Sequence, residues 1–171
     1  VYYYDLIEKL ALGNAEKKDS LAELLAESDV VTLHVDGRAN NKMIFGEKEL
    51  SNMKKGSILI NLSRGFVVEI EALKKALDSG HLRGAAIDVF PKEPKSNQEE
   101  FVSELRGNPN IILTPHIGGS TQEAQGNIAN YVPGRVVDYI NSGCPFNSLN
   151  FPQFQLPSFE QAHRLIHVHH N

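Results

Sequence analysis

The segment Ser57-Ile58-Leu59-Ile60-Asn61 places three aliphatic residues in a row and reads as a buried strand. It runs into Ser63-Arg64-Gly65, a turn. Ile70, Leu73, Ala76 and Leu77 then recur at helical spacing, and Gly80 stops the helix. Residues 57–80 thus spell one strand–helix unit, and the same unit recurs on both sides. Upstream, Val30-Val31-Thr32-Leu33-His34-Val35 is a strand with little polar alternation, as in a sheet covered on both faces. The polar loop Asp36 to Lys42 and a short helix over Glu47 to Met53 lead from it to Ser57. Further upstream, Val1 to Tyr4 are strand formers closed by Asp5. Ser20-x-x-Glu23 is a capping box ahead of Leu21, Leu24 and Leu25, which predicts a helix ending near Ser28. Downstream, Gly84 to Phe90 is a strand ended by Pro91 and Pro94. A short helix is expected over Glu99 to Leu105, and Ile111 to Thr114 is the last strand of the set.

Strands alternating with helices predict an α/β fold, a doubly wound parallel sheet of the Rossmann type. Such sheets take ligands outside the carboxyl ends of their strands. Asp5, His34, Ser63, Arg64, Asp88 and His116 all fall at those ends. After them Thr121 to Ile140 reads as a long helix that Pro133 should kink or split. Phe151 to Pro157 reads as an extended linker, and Arg164 to His169 alternates like a strand.

The 171 residues are 41% apolar and 22% charged, the make-up of a globular chain. A net charge of -4 with scattered lysines offers no footprint for nucleic acid. No apolar run approaches the roughly 20 residues of a membrane-spanning helix. Neither nucleic acid nor membrane is an expected partner. Cys144 is the single cysteine, which excludes an intrachain disulfide framework and fits a reducing cytoplasm. The histidines of the tail (His163, His167, His169, His170) lack a nearby carboxylate or thiol, so no metal is expected.

Arg64, Glu93 and His116 are the residues suited to catalysis. Taken singly each has an ordinary reading: a surface arginine, a solvated glutamate, a structural histidine. Placed together on one sheet edge they form a carboxylate clamp, an orienting acid and a proton carrier, a set suited to oxidising a 2-hydroxy acid. Asp5 closes a strand where a dinucleotide fold uses an acid to bind ribose hydroxyls and favour NAD; its ordinary reading is a turn cap. The glycine fingerprint that should stand roughly 20 residues before that acid does not occur in this sequence.

Three ordered motifs then carry a resemblance: Leu59-Ile60-Asn61-Leu62-Ser63-Arg64-Gly65, the stretch Gly84 to Pro94, and Leu113-Thr114-Pro115-His116-Ile117-Gly118-Gly119 with the following Ser120 to Ala124. The sequence resembles the D-2-hydroxyacid dehydrogenase family. The run after His116, with Asn150-Phe151-Pro152 and the tail from Arg164, is similar to its phosphoglycerate branch. The resemblance implies NAD-dependent oxidation of 3-phospho-D-glycerate to 3-phosphohydroxypyruvate, the first step of L-serine biosynthesis. By it, His116 takes the hydroxyl proton, Glu93 holds the imidazole and Arg64 grips the carboxylate. Asp5, His34, Val35, Leu62, Ser63, Arg64, Asp88, His116, Ile117, Gly118 and Gly119 bind NAD. His169 and Asn171 match positions that bind L-serine as a feedback inhibitor, and a homotetramer is implied.

The same resemblance divides the chain. Residues 1–119 are a NAD-binding domain lacking its first strand–helix unit, 120–162 return to a substrate domain and its linker, and 163–171 open an ACT-like regulatory domain. The chain then reads as an internal fragment of a longer enzyme, expected to be inactive by itself. Two further readings stand beside this one: a dehydrogenase of another 2-hydroxy acid such as 2-hydroxyglutarate, or a binding or regulatory remnant. The sequence departs from the family pattern at Asp36, where proline is usual, at the bulky Leu62, at Pro133, and at Gln161-Ala162, where a glycine pair is usual.

Overall fold

The computed structural model describes residues 1–8, 10, 11, 13–96, 98–148, 151, 152, 154, 163, 165, 167 and 169. Its strands are β1 (Tyr2–Tyr3), β2 (Glu16–Lys17), β3 (Val30–Leu33), β4 (Ile58–Asn61), β5 (Gly84–Ile87) and β6 (Ile111–Leu113). Its α-helices are α1 (Leu21–Glu27), α2 (Glu47–Asn52), α3 (Ile70–Asp78) and α4 (Gln122–Ser142). The chain divides into two compact units, 1–116 and 117–171.

In the first unit β3, β4, β5 and β6 form a parallel sheet in chain order. The register aligns Val31 with Leu59, Leu59 with Ala85 and Ala85 with Ile111. Side chains alternate across a strand, so these residues share one face with Leu33, Asn61 and Ile87. That face is buried by α1, α2 and α3, which pack side by side. Leu25, Leu50, Leu73 and Leu77 come from the helices and close the core with Val67, Leu82 and Leu105. Ser20 caps α1 as the capping box predicts, its side chain accepting the Glu23 N–H at 3.2 Å.

Four expectations are corrected. The sheet is not covered on both faces within this unit: Val30 is 51% and Ile112 67% exposed on the opposite face. The amino-terminal strand does not join the sheet; β1 pairs with β2, Tyr2 against Glu16, in a separate parallel ladder. No helix forms over Glu99 to Leu105. A helix there would spend the Phe101 carbonyl on the Leu105 N–H, but the Arg106 guanidinium takes that carbonyl at 2.7 Å. The Leu105 N–H turns to Ser103 Oγ instead. Finally, α4 is unbroken at Pro133. Proline removes one donor, and the helix is held at both ends, by Thr121 accepting the Ala124 N–H and by Gly143 in left-handed backbone.

In the second unit none of the α4 residues is fully buried. Arg135 lies over the rings of Tyr131 and Phe146. The linker over Phe151 to Pro157 and the strand over Arg164 to His169 fall largely outside the described residues, as do Asn150, Gln161, Ala162, His170 and Asn171. Among the described residues no helix is long and apolar enough to cross a membrane.

Gly65 sets how closely the ends of β4 and β5 approach. A Cβ there would lie 2.0 Å from the Phe90 carbonyl carbon and 2.2 Å from its oxygen, both backbone atoms. Gly65→Ala should therefore cost at least about 3 kcal/mol of stability by overpacking against immovable backbone. Urea denaturation measures it, and an alanine variant as stable as the parent would contradict this packing.

Candidate active site

Three adjacent parallel strands deliver the polar residues to one end of the sheet. Arg64 follows β4, Asp88 and Glu93 follow β5, and His116 follows β6. A parallel sheet aligns its carboxyl ends, so the grouping is a consequence of topology.

His116 Nδ1 lies 2.9 Å from both carboxylate oxygens of Glu93. Glu93 is itself tied down, since its Oε1 accepts the Phe90 N–H at 2.9 Å. Pro91 and Pro94 flank it and restrict the loop. The imidazole and the carboxylate remain 42% and 36% exposed, so a ligand can reach them. His116 has a φ of 51°, in the left-handed region a side chain normally avoids. That conformation costs of order 1–3 kcal/mol and must be held by its surroundings. Asp88 does so: its Oδ1 accepts the His116 N–H at 3.0 Å and the Thr114 hydroxyl at 2.5 Å.

Arg64 is exposed, and its Nη1 donates to the Ser63 carbonyl at 2.6 Å. Beneath it the turn is wound around Asn61, which is 1% exposed. The Asn61 side chain accepts from both the N–H and the hydroxyl of Ser63, and donates to the Arg64 carbonyl. Leu62, by contrast, is 58% exposed at the strand end. Asp36 uses its side chain to shape the loop after His34 and Val35: it accepts from the Arg38 N–H, the Arg38 guanidinium and the Asn41 amide. The Arg38 guanidinium holds the Asp36 carboxyl below the usual carboxylate range.

His34 and Val35 follow β3 at the same end of the sheet. Asp5 ends the β1–β2 ladder, and its carboxylate caps a turn by accepting the Ile7 N–H at 2.9 Å. Its charge is felt by Arg38, whose own shift comes first from the hydrogen-bonded Asp36. The His34 ring is spent on Thr32 Oγ1 at 3.1 Å. Ile117, Gly118 and Gly119 belong to the second unit. His169 is exposed, and Asn171 lies outside the described residues. Asn61 and Thr114 did not stand out in the sequence. The available signal was an amide ending an aliphatic strand, where a buried polar group must find partners.

Comparison with known proteins places this fold in a family. Residues 1–118 match the family model of the D-isomer specific 2-hydroxyacid dehydrogenase, NAD binding domain. The whole chain is 52% identical to the D-3-phosphoglycerate dehydrogenases of Haemophilus influenzae and Escherichia coli K12, of which it covers 42%. It thus spans about two fifths of the length of these relatives. Among solved structures, the holo D-mandelate dehydrogenase of Rhodotorula graminis aligns with a TM-score of 0.74 at 27% identity, over 91% of this chain and 45% of that one. A D-lactate dehydrogenase from Sporolactobacillus aligns with a TM-score of 0.70 at 34% identity, over 86% and 47%. The chain belongs to the D-isomer specific 2-hydroxyacid dehydrogenase family, and its residues 1–118 are the part that matches the NAD-binding domain.

Proposed function

We propose that this chain is the nucleotide-binding part of a dehydrogenase that oxidises 3-phospho-D-glycerate to 3-phosphohydroxypyruvate with NAD, the step that opens L-serine biosynthesis. The observation that carries the reading is the His116–Glu93 pair. With Nδ1–H donated to the carboxylate, Nε2 keeps its lone pair and serves as the base. The substrate hydroxyl proton passes to Nε2, and Glu93 stabilises the imidazolium that results. Arg64 offers its remaining N–H groups to the substrate carboxylate, which orients the carbinol carbon.

The residues suit the cofactor. Leu62 exposes an apolar side chain between the buried Asn61 and Ser63, a surface that a nicotinamide ring would cover. Ser63 and Asp88 place polar groups beside it for the carboxamide, while Asp5, His34, Val35 and Ile117 to Gly119 would complete the dinucleotide contacts. NAD, when bound, supplies the hydride acceptor. In this reading residues 120–162 return to a substrate domain, and 163–171 open a regulatory domain that takes L-serine at His169 and Asn171.

The phosphorylated substrate is favoured by relatives at 52% identity, the Haemophilus influenzae and Escherichia coli enzymes among them. A second reading, another 2-hydroxy acid, is favoured by the fold match to D-mandelate and D-lactate dehydrogenases. Initial rates with the full-length protein carrying this sequence distinguish them: phosphoglycerate should outpace 2-hydroxyglutarate, and the reverse order would overturn the substrate assignment. His116→Ala should lower kcat by about 10²- to 10⁴-fold, the usual worth of a general base. Arg64→Ala should lower kcat/KM for the acid by about 100-fold or more, since a charge-assisted carboxylate contact is lost. Rates like those of the parent in either variant would remove that residue from the mechanism.

A further inference from the structure

We infer that Asn61 is a positioning residue for Arg64, and that its buried carboxamide aims the guanidinium at the substrate carboxylate. This rests on the reading of Arg64 as the carboxylate clamp. Asn61 ends β4 and is 1% exposed, so its amide must be satisfied inside the protein. It is: Oδ1 accepts the Ser63 N–H at 3.1 Å and the Ser63 hydroxyl at 2.9 Å, and Nδ2 donates to the Arg64 carbonyl at 3.1 Å. One side chain therefore fixes the main chain of the residues that carry the clamp.

The guanidinium is referenced to the same turn. Nη1 of Arg64 donates to the Ser63 carbonyl at 2.6 Å, and Nε runs beside Gly37, 3.6 Å from where a Cβ there would stand. A shift of the Ser63 peptide would carry the guanidinium with it. The main chain of Asn61 also reaches the neighbouring strand end, its carbonyl accepting the Asp88 N–H at 3.1 Å. Asp88 in turn accepts the His116 N–H. Asn61 thus registers the Arg64 turn against the loop that holds the proton carrier. Holding the turn needs the side-chain amide, and a carboxylate does not replace it. Asp at this position would keep the acceptor for Ser63 but set an oxygen against the Arg64 carbonyl, with no donor between them.

A double-mutant cycle in the full-length protein carrying this sequence tests the inference. Asn61→Asp should raise KM for the 2-hydroxy acid about tenfold, the scale of loss from slight misplacement of a binding group. In an Arg64→Ala background the same substitution should change KM by less than about twofold, because the group it aims is gone. A thermal melt confirms that the variant is folded; if Asn61→Asp does not fold, Asn61→Ser carries the same comparison. An unchanged KM in Asn61→Asp, or the same rise with and without Arg64, would overturn the inference and leave Asn61 a purely structural residue. An unchanged KM in Arg64→Ala alone would overturn the clamp reading beneath it, which separates that failure from failure of the inference itself.

Discussion

The backbone of Phe90 rests against Gly65 so closely that a single added carbon would overlap it, at 2.0 Å from the carbonyl carbon. This contact joins the chain leaving β4 to the chain leaving β5. Without it the Arg64 turn and the Glu93 loop would be two separate strand ends. With it, the carbonyl of Asn61 receives the Asp88 N–H, Phe90 offers its own N–H to Glu93, and the third strand end is drawn in through Asp88 and His116. The strand ends are thus tied together through main-chain groups, one bonded to another and the rest to the Asp88 and Glu93 carboxylates.

The strain at His116 has meaning within that frame. A left-handed histidine is unfavourable in isolation, and here two carboxylates oppose the cost: Asp88 takes its backbone N–H and Glu93 its ring. Glu93 thereby holds the ring by its Nδ1. A stretch that held histidine in ordinary extended backbone would not present the same nitrogen to the same place.

The alternation of strands and helices was legible because each covered strand is a short aliphatic run and each helix carries a stripe such as Ile70, Leu73 and Leu77. The positions of Arg64, Glu93 and His116 at strand ends followed from that order alone. The rest depended on pairings that periodicity does not show. Nothing in Val1 to Tyr4 reveals that it pairs with Glu16–Lys17 outside the main sheet. The stretch Glu99 to Leu105 has helical spacing, but side chains of Ser103 and Arg106 capture the backbone groups a helix needs. Pro133 breaks a local rule that the capped helix around it absorbs. Asn61 looked like the end of a strand, and its role emerges only when three hydrogen bonds are seen to converge on it.

Departures from the family pattern are accommodated locally. Asp36, standing where proline is usual, rebuilds its loop through Arg38 and Asn41. Leu62 projects into solvent at the strand ends without disturbing the buried residues on either side. The central claim is that these strand ends assemble one site for a 2-hydroxy acid. A crystal structure of the full-length protein carrying this sequence, with NADH and the non-reacting dicarboxylate oxalate, tests it most directly. The account predicts one carboxylate of oxalate on the Arg64 guanidinium and an oxygen within hydrogen-bond reach of His116 Nε2. Oxalate bound away from both residues would contradict it.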